Sequence, residues 1–477
     1  MKLKHSTKHW DRWLLAGEFA GLRSRNTPTR SQQSSGSVLI IVLWVCIGLV
    51  SIALYFANSM TFELRAADNR LNGIVADQAI EGAQRYISYV LENYATNGAV
   101  PDSSQFKCDA VAVGDAKFWL IGRDVSAENL TEPVFGLVDE GGKFNLNTVN
   151  TNALSYLPGM TQDFAEAITD WRSTNGSLSL NYSTLGYAPK YAPFESVDEL
   201  RLVSGANVSL LAGEDLNRNG VLDKNEKDAN GNGTLDSGLF EYVTAWTREP
   251  NFHSDGTTLT NLNQQTSKQQ LIQVLTRLFQ NEGVSQRATQ IANQVYPGNG
   301  GPPYVFKGLF DFACACRSGG LSADDFAKIA NDVTTSTNVY FKNRVNVNTA
   351  SEAVLTSLLI GLNIDEQSAQ SAAQTLITYR QQNAGNLGSV AWVYDALGAN
   401  GTVVNALRGG NFLTTRSFQF TADIAATGAY GRGWRRVKFI FDTSDGTPRV
   451  IYRQDLSRLG WALGEKARET LLAKNTQ

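Results

Sequence analysis

Histidine is almost missing from this chain. Of three in 477 residues, His5 and His9 fall in the first ten positions, and His253 alone serves the rest. A Ser-His-Asp or Cys-His relay, or a His-ligated zinc site, would have to be built on that single residue. It lies in a polar stretch, Asn251-Phe252-His253-Ser254-Asp255, with no nucleophile, base and orienter beside it. The chain therefore reads as a non-enzyme with no small-molecule substrate. A basic surplus is missing as well. The formal charge is −3, and residues 1–36 hold Lys2, Lys4, Lys8, Arg12, Arg23, Arg25 and Arg30 against Asp11 and Glu18, so the remainder is acidic. Nucleic acid is not an expected partner, because binding by counterion release needs a cationic face. Cysteine is scarce: Cys46 lies in an apolar run, and Cys108, Cys314 and Cys316 are the others.

What is present begins with that apolar run, residues 37–57. About 20 apolar residues suffice to cross a bilayer as a helix. The polar segment after Thr61 keeps apolar residues at helical spacing: Leu71, Val75, Ala79, Ala83, Ile87, Val90 and Tyr94. One continuous helix is expected from Ser37 to near Asn97, about 90 Å long at about 1.5 Å per residue. The basic segment before the run stays cytoplasmic, which sends the C-terminal body across the membrane. A cleaved secretory signal would have an apolar core of about 7–15 residues ending in a small-x-small site. This run is longer, and Tyr55-Phe56-Ala57-Asn58-Ser59-Met60 fits such a site poorly.

Gly36, the uncharged run and the amphipathic continuation together resemble the leader and helix of type IV pilins and type II secretion pseudopilins. The resemblance implies cleavage after Gly36 by a prepilin peptidase, leaving Ser37 as the mature, methylated N-terminus. Most family members carry Glu at the fifth mature position, where its buried carboxylate needs a partner charge. Ile41 stands there in this chain. That absence, together with Val42-Leu43-Trp44, is similar to the K-type minor pseudopilins, which sit at the filament tip. The implied protein is a single-pass inner-membrane subunit with a cytoplasmic N-terminus and a periplasmic body. It would initiate or cap the pseudopilus. Its partners would be other minor pseudopilins, the major pseudopilin, the prepilin peptidase and the inner-membrane secretion platform. A minor pilin of a type IV pilus is the related alternative.

An internal repeat follows. Phe144-Asn145-Leu146-Asn147-Thr148 recurs as Val345-Asn346-Val347-Asn348-Thr349. Both copies continue through apolar positions to Trp171-Arg172 or Tyr379-Arg380, then to Ser196-Val197 or Ser389-Val390. Each reads as a short strand, a Thr-capped helix, a tight turn, a second helix and a third helix capped by Ser. The pattern resembles the helix-hairpin-helix module of membrane-anchored DNA receptors, the rival function. Here the turns carry Asp163, Glu166 and Asp170, or Asp365 and Glu366, which repel a phosphate. A packing role is expected, with Arg172 and Arg380 tying each copy together. The K-type pseudopilins carry a helical domain with such Asn-x-Asn-Thr segments.

Between the copies, Asp215, Asn217, Asn219, Val221, Asp223 and Glu226 fall at the first, third, fifth, seventh, ninth and twelfth positions of a calcium loop, with Gly220 at the sixth. Val221 would give its carbonyl. Asp228, Asn230, Asn232, Thr234 and Asp236 begin the same pattern 13 residues on, with Leu239 at the twelfth position; Glu241 is the expected closing acid. One or two structural Ca2+ ions are expected, and the family resemblance points the same way.

The expected fold is α+β: a pilin-like N-terminal helix packed on an antiparallel sheet, interrupted by a large, mostly α-helical insertion with helix-hairpin-helix-like repeats. The divisions are a leader at 1–36, the helix at 37–97 and a discontinuous sheet domain at 98–144 and 412–458. The first repeat with its calcium loops spans 145–251, a helical insertion without functional assignment 252–344, the second repeat 345–411 and a tail 459–477. Strands are expected at 118–121, 134–138, 417–424, 434–442 and 448–454. In an oxidising compartment one disulfide from Cys108 to Cys314 or Cys316 would fit, and a Cys-x-Cys metal site is the competing idea.

Overall fold

The computed structural model describes residues 35–124, 131–174, 182, 186–265, 267–280, 285–296, 304–398 and 401–473. By internal contacts the chain divides into Met1–Ala66 and Ala67–Gln477. In the first unit the described residues belong to helix α1 (Ser35–Tyr94), and their apolar side chains from Val38 to Leu64 are exposed. This is the one helix among the described residues that is long and apolar enough to cross a membrane. The leader, residues 1–34, lies outside the described residues.

In the second unit α1 supplies Ala76, Ala79, Ile80, Ala83, Ile87 and Leu91 to a core shared with a sheet. The spacing is that of one helical face, and its alanines let the backbone approach closely. The stripe starts later than the sequence suggests, since Leu71 is exposed. The sheet opens with β1 (Val111–Val113), β2 (Ala116–Ile121) and β3 (Val138–Asp139). The expected strand at 134–138 is reduced to β3 and an isolated bridge from Phe135 to Ile121.

A first helical module then runs from β4 (Phe144–Asn145) through α2 (Thr151–Ser155), α3 (Gln162–Arg172), a 3-10 turn at Val197–Leu202 and α4 (Val208–Ala212) to β5 (Val243–Thr244). After β6 (Glu249–Pro250), a second stretch has the same plan: β7 (Thr260–Asn261), α5 (Lys268–Gln280), α6 (Arg287–Val295), α7 (Leu309–Ser318), α8 (Ala323–Ala330) and β8 (Val333–Thr334). After β9 (Tyr340–Phe341) comes a third: β10 (Val345–Asn346), α9 (Glu352–Gly361), α10 (Glu366–Gln382), α11 (Ala391–Leu397), α12 (Thr402–Arg408) and β11 (Leu413–Thr414). The chain then completes the sheet with β12 (Gln419–Thr427), β13 (Arg435–Asp442) and β14 (Arg449–Asp455), and ends its described part in α13 (Gly464–Ala473).

The sheet is antiparallel in the order β1-β2-β12-β13-β14, with β3 also on β12. Alternation along β2 sends Phe118 and Leu120 to α1 and Trp119 and Ile121 to the opposite face, where Ala462, Leu463 and Leu471 cover them.

The three modules share one device. In each, the first strand pairs in parallel with the last, Asn opposite Thr: Asn145 with Thr244, Asn261 with Thr334, Asn346 with Thr414. In each, the first Asn turns the chain by accepting from the backbone N–H of the second, at 2.9 Å for Asn147 and Asn263 and 3.0 Å for Asn348. The second Asn then donates to a distant carbonyl between the second and third helical segments: Phe194, Phe306 or Leu387, at 3.0, 2.8 and 3.0 Å. Residues 252–344 therefore contain a module like the two repeats. It hangs on the antiparallel pair β6–β9.

The expected Thr caps are not caps. Asn150 and Ser351 cap α2 and α9, while Thr148 donates to Lys342 O and Thr349 to Asp139. Arg172 and Arg380 do tie their modules, donating to the carbonyls of Leu146 and Val149, and of Val347 and Ala350. All four cysteines are free thiols. Cys108 packs at the sheet core and Cys314 and Cys316 are buried in the helical core, so the considered disulfide is not formed.

Candidate metal centre

The first loop is folded around its own carboxylates. Asp215 accepts from the backbone N–H of Asn219 at 2.9 Å and of Gly220 at 2.8 Å. Gly220 takes φ +85°, which its lack of a Cβ permits. Glu226 reaches back to accept from Asn217 N–H at 3.0 Å and Asp223 N–H at 3.1 Å, closing the ring. The amides of Asn217 and Asn219 meet the Asp223 carboxylate at 2.5 and 3.0 Å. Val221 is buried, and its N–H donates to Asn219 Oδ1 at 3.0 Å.

Two observations test whether this cradle fits a cation. Asn217 is 5% exposed and its Oδ1 has no hydrogen-bond partner. Asp215 is equally enclosed, and burial pushes its carboxyl up to about 6; Arg123 attracts the charge while Glu241 repels it. A buried carboxylate and an orphaned amide oxygen are both under-served by the protein alone. Among the described residues no group of three or more His, Cys, Asp or Glu side chains is gathered tightly enough to hold a metal. The oxygens that the first loop itself offers, from Asp215, Asn217, Asn219, Asp223, Glu226 and the Val221 carbonyl, are of the hard kinds that calcium takes. These residues fit the group; bound there, Ca2+ would supply charge neutralisation and a fixed loop, with no chemistry.

The second loop repeats the local geometry. Asp228 accepts from Gly231 N–H at 2.6 Å and Gly233 N–H at 2.8 Å, and hydrogen bonds to backbone N–H groups, that of Gly233 foremost, hold its carboxyl below the usual range. Asn230 meets Asp236 at 2.5 Å as Asn217 meets Asp223, and Thr234 N–H donates to Asn232 as Val221 does to Asn219. Its closing acid is a surprise. Glu241 is not there: both its oxygens are taken by Arg123, at 2.8 and 2.9 Å. Burial alone would raise the Glu241 carboxyl, but Arg123 brings it down to about 2. Leu239, at the twelfth position, is buried in the helical core. The carboxylate that accepts from the loop is Glu214, bonded by Ala229 N–H at 2.5 Å and Asp236 N–H at 3.1 Å. It does for the second loop what Glu226 does for the first. Its place directly before Asp215 was the available signal.

Two arginines, Arg436 buried and Arg123 half-buried, fix the first loop to the sheet, and no motif announced them. Arg436 on β13 pairs with Asp423 on β12 and donates to the carbonyls of Asn217 and Arg218. Arg123, beyond β2, also donates to Arg218 O, at 2.9 Å. At the other end of the chain, the expected processing residues Gly36 and Ser37 fall in the first turn of α1, and Ile41 is exposed.

Compared with known proteins, the chain matches no family model and no curated protein. Among solved structures it is similar to a chain of the GspK-GspI-GspJ complex from the enterotoxigenic Escherichia coli type 2 secretion system. The identity is 14%, the TM-score 0.18, and the match covers 44% of this chain and 78% of that one. A similarity of that size establishes neither fold nor family, so any functional reading rests on the residues described above.

Proposed function

We propose that this chain is a calcium-braced minor pseudopilin at the tip of the periplasmic pseudopilus of a type II secretion system, where it initiates or caps the filament. The observation that carries this reading is α1 itself. A single helix begins at the Gly36 cleavage motif, is long and apolar enough to span a bilayer, and continues as the face that packs on an antiparallel sheet. At its fifth residue after Gly36 stands Ile41, so the subunit lacks the buried carboxylate that would pair with a neighbour's N-terminal amine. Such a subunit accepts partners on one side only. The modules and metal loops form a large head, and the metal is structural. Partners in this reading are sibling minor pseudopilins and the major pseudopilin, with the prepilin peptidase and the secretion platform acting during export and assembly.

The rival DNA-receptor reading needs an open hairpin turn in at least one module. In the third module that turn is occupied: a Cβ on Gly361 would lie 2.7 Å from Ala153 Cβ in the first module, and Asn150 donates to Gly361 O. Asp163 and Asp365 are exposed beside the turns and repel phosphate. Deleting this chain in its host should halt release of type II substrates to the medium while they accumulate in the periplasm. Undiminished release would contradict the proposal, and salt-sensitive binding of duplex DNA by the purified chain would favour the rival.

A further inference from the structure

The first loop is bound to more than the sheet. The Asn217 amide donates to Trp461 O at 3.2 Å, the Asn219 amide to Ala462 O at 3.4 Å, and Lys224 pairs with Glu465 at 2.7 Å. Beyond these contacts the C-terminal segment is held by packing. The Trp461 ring lies 4.8 Å from that of Trp434, and Ala462, Leu463 and Leu471 cover Trp119, Ile121 and Ala425. Leu471 also lies under the turn at 428–433, 3.1 Å from where a Cβ on Gly431 would be. That turn grips α1. Gly428 and Gly433 leave no room for a Cβ against Asn72, Arg432 pairs with Asp68 at 3.0 Å, and Arg435 pairs with Asp77 at 3.1 Å.

We infer that the first loop is a calcium-dependent latch for residues 461–473 and, through the turn at 428–433, for the grip on α1. The inference rests on the calcium reading above and adds a dependence to it. Each Asn side chain has one oxygen and one NH2. With the oxygens of Asn217 and Asn219 turned toward a cation, the NH2 groups are left for Trp461 O and Ala462 O. The same NH2 groups also donate to the Asp223 carboxylate, which competes for them unless a cation holds it. With no cation on it, the Asp223 carboxylate draws both donors away from the segment. What remains is an exposed Lys224–Glu465 pair, which contributes little, and a small apolar cluster. The second loop has no such coupling in its described hydrogen bonds, which run within itself and to Glu214.

The test is amide hydrogen exchange on the detergent-solubilised full chain, with saturating Ca2+ or with EGTA, alongside calorimetric Ca2+ uptake. EGTA should speed exchange at 461–473 and 428–433 by at least about tenfold. Glu226→Gln should do the same in the presence of Ca2+, whereas Glu214→Gln should leave 461–473 protected. Ca2+ uptake that slows exchange at 215–226 but not at 461–473 would overturn the latch and leave the calcium reading standing. No uptake by the unmodified chain would overturn both. Should Glu226→Gln fail to fold, the EGTA arm on the unmodified chain decides alone.

Discussion

Replacing Asn263 by Ala should unfold the second module selectively. Its side chain makes three hydrogen bonds: the amide donates to Phe306 O at 2.8 Å and Thr335 O at 2.7 Å, and Oδ1 accepts from Phe306 N–H at 2.8 Å. Phe306 is buried and Thr335 nearly so, which leaves little water to replace the lost partners. At about 1 kcal/mol for each bond, the substitution should cost about 3 kcal/mol. In hydrogen exchange governed by module opening, that corresponds to roughly a hundredfold faster exchange across α5–α8, with the sheet and α1 unaffected. Asn147→Ala and Asn348→Ala should act likewise in their own modules. Asn293→Ala, at an exposed position on α6, is the control and should change little. Were Asn263→Ala to match Asn293→Ala, the second module would not be held by the device the other two share, and the three-module reading would fail.

Chelation should expose 215–236 to protease, because Asp215, Asp223, Glu226 and Asp228 then lose their counter-charge; identical digestion patterns with and without EGTA would count against metal bracing. Arg436→Met should destabilise the sheet by about 3–5 kcal/mol, since it strands Asp423 as a buried charge and takes a donor from the Asn217 carbonyl; the thermal midpoint reports it. Burial would raise the carboxyl of Glu249, yet Arg344 and Arg416 hold it below its ordinary value. Its contribution to stability is therefore present at neutral pH and lost as pH falls below the unfolded-state value toward the lower folded one. Glu249→Gln should flatten that acid-side decline in unfolding free energy, and an unchanged slope would refute the assignment.

Much of this molecule could be read from pattern. The α1 face, the strands β2, β12, β13 and β14, and the helices α5 to α8 follow apolar periodicity, which is local. The two repeats were visible because Asn145-Leu146-Asn147-Thr148 and Asn346-Val347-Asn348-Thr349 share Asn, Asn and Thr, with an apolar residue at the remaining position. The second module was missed because Thr260-Asn261-Leu262-Asn263-Gln264 lacks the flanking apolar residue and the Thr. Its identity lies in the pairing with Val333-Thr334, some 70 residues on. The two Asp/Asn-rich loops showed the same limit. Ligand spacing found the residues that close the first loop, but Glu214 serves the second from before the first, and Glu241 is claimed by Arg123. A charge's partner is a tertiary fact. Sequence spacing placed Glu241 near enough, and Arg123, more than a hundred residues upstream, decided otherwise.

In the proposed function α1 is the helix of a processed filament subunit. N-terminal sequencing of the mature chain, from cells with and without prepilin peptidase, tests it most directly. A methylated chain beginning at Ser37 is expected when the peptidase is present, and an intact leader when it is absent. A leader retained in both, or a cut near Met60 in both, would contradict it.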